Sequence, residues 1–377
     1  MAAYLQLGHD SWNLLDERNL QRFGGIVISP VNDPPSSVLE RLRRIQEAGR
    51  TPEIIFDSQV YNPRSGKGHL PAWGYLPDVF DTATWGVAAQ WLSVARGAVA
   101  AAVAIGADAV CSPAFVPRSF TDDYYRLIAD IADETVLEAA KNNCSVLLTA
   151  IVSLQELALN GRALEIASII SSSSVDRIYL IFQSDKAPKE HYEDLLALQG
   201  AMLLVAALSR SMRVQIAFCG HDAILWKAVG AQDITSGKFL NLRRFSLGRW
   251  EETDTQGRVI PYWNDSSLIT LLREADVVRL DRLQLIDEEV VNENPYSKQI
   301  LAIIRSGTGK PWVGLSWRQY LYWFSTIDRS IATLSDCRTL LKQCDWLWGR
   351  VQQNEVLFID RLNDGSWVRA WISACAK

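Results

Sequence analysis

The residues best able to do chemistry in this chain are carboxylates and amides that emerge directly from apolar runs. The segment PEIIFDSQVYNP (52–63) is the sharpest case, because Ile54-Ile55-Phe56 passes without a spacer into Asp57-Ser58-Gln59. Burial at such a point raises a carboxyl pKa, while neighbouring donors lower it. Asp57 therefore suits a general acid/base or a nucleophile. Asp222 follows the run VQIAF (214–218) through Gly220 and His221 and is a second candidate. The same position equally suits the N-cap of the helical segment DAILWKAVG. Paired carboxylates at one pocket would serve glycosidic-bond chemistry through an oxocarbenium-like transition state. Ser58, Gln59, Ser112, Gln183, Ser184, Gly220 and His221 also stand where apolar runs end, and supply hydroxyls, amides and backbone N–H groups for a substrate.

A second kind of chemistry is suggested by KFLNLRRFSLGRW (238–250). Lys238, Arg243, Arg244 and Arg249 alternate there with Phe239, Phe245 and Trp250, and no acid intervenes. Cations with aromatic rings suit a phosphate backbone with stacked bases. The alternative is a solvated segment pairing with the acids at 251–254. The stretch HLPAWGYLPDVFDTATW (69–85) offers Trp73, Tyr75 and Trp85 for stacking on a base or for packing a long loop down. SGTGK (306–310) lacks the full phosphate-loop spacing and follows a helical pattern, so it is set aside.

These residues need a frame that brings strand ends together. Eight β-rich runs alternate with helical segments up to about residue 240: 3–8, 25–29, 53–57, 108–112, 145–152, 177–182, 214–218 and 232–237. The intervening patterns are amphipathic, as in SSVLERLRRIQEAG (36–49), where Ser36 or Ser37 suits the N-cap and Gly49 the C-cap. Apolar strands joined by helical crossovers read as an α/β fold, a (β/α)8 TIM-type barrel with its site at the C-terminal mouth. The rival open doubly wound sheet lacks its Gly-rich fingerprint after the first strand. The barrel is expected over residues 1–245, followed by a mainly helical, Trp-rich region over 246–377. An Asn-Asp-Gly turn at 363–365 would close a hairpin or end a helix.

Composition narrows the classes further. A net charge of -5, with 48% hydrophobic and 21% charged residues, excludes a globally basic nucleic-acid binder but not a local basic patch. The first residues lack a signal-peptide pattern and no apolar window is free of polar breaks, so a cytoplasmic protein without a membrane span is expected. The six cysteines show no paired ligand spacing, which predicts no metal site. No cofactor is predicted either.

The order of these motifs resembles the tRNA-guanine transglycosylase superfamily, including relatives that insert deazaguanine bases into DNA. FDSQV (56–60) is similar to that family's DSGGF strand end, without its paired glycines. CGHDAILWKAVGAQDITSG (219–237) is similar in order and spacing to its late strand–helix–strand unit. RIYLIFQSD falls where the family has its base-binding strand. The resemblance spans about residues 4–245. It implies a glycosyltransferase that exchanges a guanine-type base in tRNA or DNA. Asp57 and Asp233 would be its carboxylates, Gln59, Gln183 and Ser184 would contact the base, and the basic run would hold phosphates on a flipped nucleotide. Thr235 stands at the position of the family's strand-8 nucleophile, two places after Asp233. Cys111-Ser112-Pro113 replaces its base-recognising acid, and its zinc motif is absent.

Two other readings stay open. One is a flavin- or phosphate-ligand barrel with Gly220 and Ser236-Gly237 around the phosphate. The other is a non-catalytic scaffold in a nucleic-acid-processing complex, with the Trp-rich tail as a protein-partner surface.

Overall fold

A computed structural model describes the chain except residues 1, 78–79, 82–84, 252–258, 361–362 and 377. The eight runs form the eight strands of a closed parallel barrel. They are β1 (Ala2–Gln6), β2 (Gly25–Ile28), β3 (Glu53–Asp57), β4 (Ala109–Cys111), β5 (Ser145–Ser153), β6 (Arg177–Gln183), β7 (Arg213–Ala217) and β8 (Asp233–Ser236). Each strand pairs with the next, and β1 closes the ring on β8 with Ala2 opposite Asp233 and Leu5 opposite Ser236. The (β/α)8 expectation is therefore met.

Between strands run α1 (Pro35–Glu47), α2 (Leu92–Ala104), α3 (Asp122–Ala139), α4 (Arg162–Ile170), α5 (Leu195–Leu208) and α6 (Ala223–Ala228). Helix α1 begins on the Pro34-Pro35 pair, whose fixed φ suits a first turn, so neither Ser36 nor Ser37 caps it. Gly49, just past its end, adopts φ +71° as the C-terminal reading requires. Thr121 caps α3 and Asp194 caps α5 through their side-chain oxygens.

Beyond the barrel the chain forms a short antiparallel hairpin, β9 (Trp263–Asp265) and β10 (Thr270–Leu272), that the sequence patterns did not reveal. Helices follow as α7 (Glu274–Arg282), α8 (Glu288–Glu293), α9 (Pro295–Ser306), α10 (Val313–Ser330), α11 (Leu334–Gln353) and α12 (Trp367–Ala374). No described strand flanks the Asn-Asp-Gly turn at 363–365. Gly365 takes φ +79° just ahead of α12, and the proposed partner run includes residues outside the described ones.

The Trp-rich region mostly packs inward. Trp312, Trp348, Trp367 and Trp371 are buried, whereas Trp346 is exposed. The Trp371 indole donates to the Tyr192 carbonyl at 2.7 Å, and Trp348 donates to the Leu268 carbonyl at 3.1 Å. One continuous apolar core thus spans the barrel and the helices behind it. Among the described residues no helix is long and apolar enough to cross a membrane.

Candidate functional site in the barrel interior

Strand side chains alternate, so residues two apart share a face. That rule layers the barrel interior. At the floor, Tyr4 donates to Glu53, and Arg177 reaches Glu53 at 2.5 Å. Arg213 grips Asp233 with Nε at 2.5 Å and Nη2 at 3.1 Å. Two residues further along the same strands stand Gln6, Tyr179, Gln215 and Thr235, joined by Asp57, Cys111 and Thr149. Barrel interiors of this type are ordinarily filled by branched apolar side chains. Here several of these positions are polar and buried, while Val27, Ile55 and Leu147 share the same face as the apolar remainder.

Asp57 is fully enclosed at the end of β3. Its Oδ1 accepts from the Tyr61 hydroxyl at 2.7 Å and from the Gln59 backbone N–H at 3.1 Å. Among the described residues its Oδ2 has only weaker amide donors, Gln59 Nε2 at 3.3 Å and Gln6 Nε2 at 3.5 Å. Burial pushes the carboxyl up to about 6, against the pull of the Tyr61 and Gln59 hydrogen bonds and of the Arg249 cation. Gln59 holds φ +51°, a left-handed conformation that costs a non-glycine residue about 1 kcal/mol or more. The Gln59 amide also donates to Ser29 Oγ at 3.0 Å. Among the described residues, Gln6 Oε1, Gln59 Oε1, Thr149 Oγ1, Tyr179 OH and Gln215 Oε1 have no hydrogen-bond partner. Buried polar atoms in that condition are uncommon in proteins.

The mouth above Asp57 is stoppered by rings. Tyr61 meets Trp250 at 4.9 Å and Phe245 at 5.3 Å, and Phe218 meets Phe245 at 5.4 Å. The segment 240–250 carries Phe245 and Trp250 across the opening after β8. It is seated by Gly237, where a Cβ would lie 2.7 Å from Leu242 Cβ and 2.8 Å from the Gln6 carbonyl oxygen. Its far end is tied to the β3 loop by Ser65 Oγ donating to the Trp250 carbonyl at 2.5 Å. Arg249 points its guanidinium inward, where the Asp57 carboxylate acts on it. Burial lowers its pKa to about 10. Among the described residues no hydrogen bond or ion pair joins Arg249 to Asp57.

The other predicted site residues have different surroundings. Asp233 lies at the start of β8, so it belongs to the floor and cannot meet a substrate at the mouth alongside Asp57. Asp222 is buried and spends Oδ1 on the Gly220 N–H and Oδ2 on the Trp226 indole, both at 2.8 Å. It braces the turn into α6, which agrees with neither an N-cap bond nor a free acid. Ser58 is buried, and its carbonyl accepts from Tyr75 OH at 2.6 Å. Ser112 Oγ accepts from the Thr149 N–H at 3.0 Å. Gln183, the last residue of β6, forms a parallel backbone bridge with Phe245, and Ser184 Oγ accepts from the Lys186 N–H. His221 bonds Asn264 and is held down to about 3 by burial, so it is neutral.

The basic run does not form a strip open to a phosphate backbone. Lys238 Nζ donates to the Asp10 carbonyl at 2.8 Å and lies over the Phe239 and Trp317 rings. Arg243 and Arg244 are buried against the Tyr320 and Tyr192 rings. Arg249 faces the barrel interior, and residues 252–254 of the acidic stretch lie outside the described ones. In the 69–85 loop Trp73 and Tyr75 are buried, the Trp73 indole donating to the Pro30 and Asp33 carbonyls. Residues 78–79 and 82–84 of that loop also lie outside the described ones.

The sequence reading missed Gln6, Tyr61, Thr149, Tyr179 and Gln215, and it gave Arg249 a different role. A signal for most of them was present. Gln6 in AYLQLG, Thr149 in SVLLTAIV, Tyr179 in RIYLIF and Gln215 in RVQIAF are polar interruptions of apolar strands.

Among the described residues no group of three or more His, Cys, Asp or Glu is placed to hold a metal ion. No protein-family model and no curated protein matches the sequence. Solved structures with a similar course include QR15, an aldolase, at 14% identity and a TM-score of 0.36, covering 62% of this chain and 88% of that one. An L-ribulose 3-epimerase matches at 15% identity and 0.34, covering 68% and 89%. A type I 3-dehydroquinate dehydratase from Clostridium difficile matches at 9% and 0.35, covering 66% and 88%. No model of the tRNA-guanine transglycosylase family matches, none of these structures is one, and Asp233 stands on the barrel floor in the grip of Arg213, so the resemblance to tRNA-guanine transglycosylases is overturned. The chain has a (β/α)8 TIM-type barrel fold, without a family assignment.

Proposed function

We propose that the protein is a barrel enzyme that moves a proton on a small, polar, anionic substrate enclosed beneath the aromatic stopper. The observation that carries this reading is Asp57, a fully buried carboxyl held near 6 and facing Arg249 across a layer of side chains with unused hydrogen-bonding atoms. A general acid/base works best with a pKa near the working pH. Oδ2, with its weak amide donors, is the atom that gives and takes the proton, while Tyr61 and the Gln59 N–H fix Oδ1. Arg249 supplies a cation for a substrate carboxylate or phosphate, and enclosure strengthens that attraction. Gln6, Gln59, Thr149, Tyr179 and Gln215 offer donors and acceptors for hydroxyl or carbonyl groups.

The test is a thermal-shift screen of small hydroxy and keto acids and sugar phosphates against wild type and Arg249→Gln. Wild type should be stabilised by at least one compound class that leaves Arg249→Gln unshifted. Solvent deuterium should then exchange into that compound with wild type and not with Asp57→Asn. A compound that shifts both proteins alike, or is exchanged equally by Asp57→Asn, would remove the proposal.

A further inference from the structure

The cysteines are all buried, free thiols. Cys144 and Cys219 turn their sulfurs to backbone carbonyls, 3.6 Å from Ser145 and 3.3 Å from Ile216. Cys337 and Cys375 instead face each other, Sγ 3.4 Å from Sγ, although they stand 38 residues apart in the chain. Among the described residues no other two cysteine sulfurs meet.

Helix backbone fixes both members of the pair. Cys337 lies in the first turns of α11, which Thr333 and Asp336 cap reciprocally, and its N–H donates to the Thr333 carbonyl at 3.1 Å. Cys375 closes α12, its N–H donating to the Trp371 carbonyl at 3.0 Å. Both thiols are enclosed, yet Ser373 and Ala376 beside Cys375 are exposed, so solvent lies immediately outside the pair. Disulfide sulfurs stand about 2.05 Å apart, so these two need to close by only about 1.4 Å. Within the thiol–thiol hydrogen bond Cys375 accepts from Cys337, which pulls the Cys375 thiol below its ordinary range against burial, and the Arg338 cation adds to that pull. The same bond, with burial, raises Cys337. Cys375 is therefore the sulfur that ionises first, and the thiolate is the reactive form.

We propose that Cys337 and Cys375 are a peroxide-sensitive pair that closes reversibly into a disulfide, tying α12 to α11. The Cys375 thiolate attacks one oxygen of hydrogen peroxide: an S–O bond forms, the O–O bond breaks, and the departing hydroxide takes up the thiol's proton as water. Cys337 then attacks the sulfur of this sulfenic acid. An S–S bond forms, the S–O bond breaks, and the second hydroxide leaves with the Cys337 proton. Two thiols and one peroxide thus give one disulfide and two waters. A small oxidant suits a pair that offers no open approach to a bulky one. The tie falls on the helix that holds the loop after β6, since Trp371 donates to the Tyr192 carbonyl and Trp367 stacks on His191 at 3.9 Å. It does not depend on any chemistry at Asp57.

The experiment uses the full chain, reduced with dithiothreitol, freed of it, and treated with a small molar excess of hydrogen peroxide. Peptide mapping without reduction should join the peptides carrying Cys337 and Cys375 with the loss of two hydrogens, and dithiothreitol should part them again. The oxidised protein should melt roughly 5 °C higher, because the tie restricts the unfolded chain. Amide exchange over Trp367–Ala374 should slow severalfold. Cys375→Ala should lose both the cross-link and the gain in Tm, whereas Cys344→Ala should keep both. Thiols that stay free, over-oxidation of Cys375 without a cross-link, a cross-link to another cysteine, or a joined pair that melts no higher would overturn the assignment.

Discussion

Asp57→Asn is expected to stabilise the protein at neutral pH while abolishing proton transfer. Burial holds the native carboxyl up at about 6, above the ordinary aspartate range near 3.9, a gap worth roughly 3 kcal/mol. A folded-state pKa above the unfolded value means that the native protein holds the proton more tightly. Wild-type stability therefore falls as pH rises from about 4 to about 6 and stays lower above that window. Asparagine cannot ionise, so its stability should be flat there. Its new N–H group needs an acceptor, and the Gln6 and Gln59 amides, each with a free Oε1, can turn to provide one. Urea midpoints at pH 4 and pH 7.5 check this: the variant should match wild type at pH 4 and exceed it by up to about 3 kcal/mol at pH 7.5. A variant weaker than wild type at pH 7.5 would mean that the Tyr61 and Gln59 bonds outweigh the cost of burial. A substitution that gains stability as it loses activity is the trade-off expected of a site that holds a charge where packing alone would not.

The second large effect is expected at the opposite end of the barrel. Asp233→Ala removes the acceptor for Arg213 Nε and Nη2 and for the Ala2 N–H at 2.9 Å. Breaking a buried ion pair by removing one partner typically costs 3–5 kcal/mol. Arg213 is 41% exposed and can turn toward water, so the loss should be about 3 kcal/mol. Ligand binding and proton exchange, measured below the lowered Tm, should be unchanged. Loss of exchange in a folded Asp233→Ala protein would return this residue to the chemistry.

The contrast between these two acids shows how much could be read beforehand. The eight strands were legible because each is a short apolar run bounded by turns, and β3 was placed residue for residue at Glu53–Asp57. Asp57 was legible because nothing separates it from its strand. Asp233 misled for a geometric reason. A carboxylate near a strand says nothing about mouth or floor until the strand's direction and first residue are fixed, and Asp233 opens β8 where Asp57 closes β3.

The basic run misled for another reason. Arginine among aromatics reads as a nucleic-acid surface only if the rings are exposed, and here Phe245 and Trp250 are buried. The β9–β10 hairpin has strands of three residues each, too short for alternation to register against the helical pattern around it. The polar interior layer needed all the strands in register before Gln6, Tyr179 and Gln215 could be seen to share a level. That is a property of the closed ring and of no single strand.

The ring of Tyr61, Phe218, Phe245 and Trp250 has a temporal consequence. On the proposed function, a molecule reaching Asp57 would have to wait for Trp250 and Phe245 to swing aside, and uptake would be paced by the protein and not by diffusion. Rapid-mixing traces followed through Trp fluorescence should show a rate that rises with ligand concentration and then levels off at the opening rate. Trp250→Ala should lift that ceiling, at the expense of leaving Asp57 open to bulk solvent.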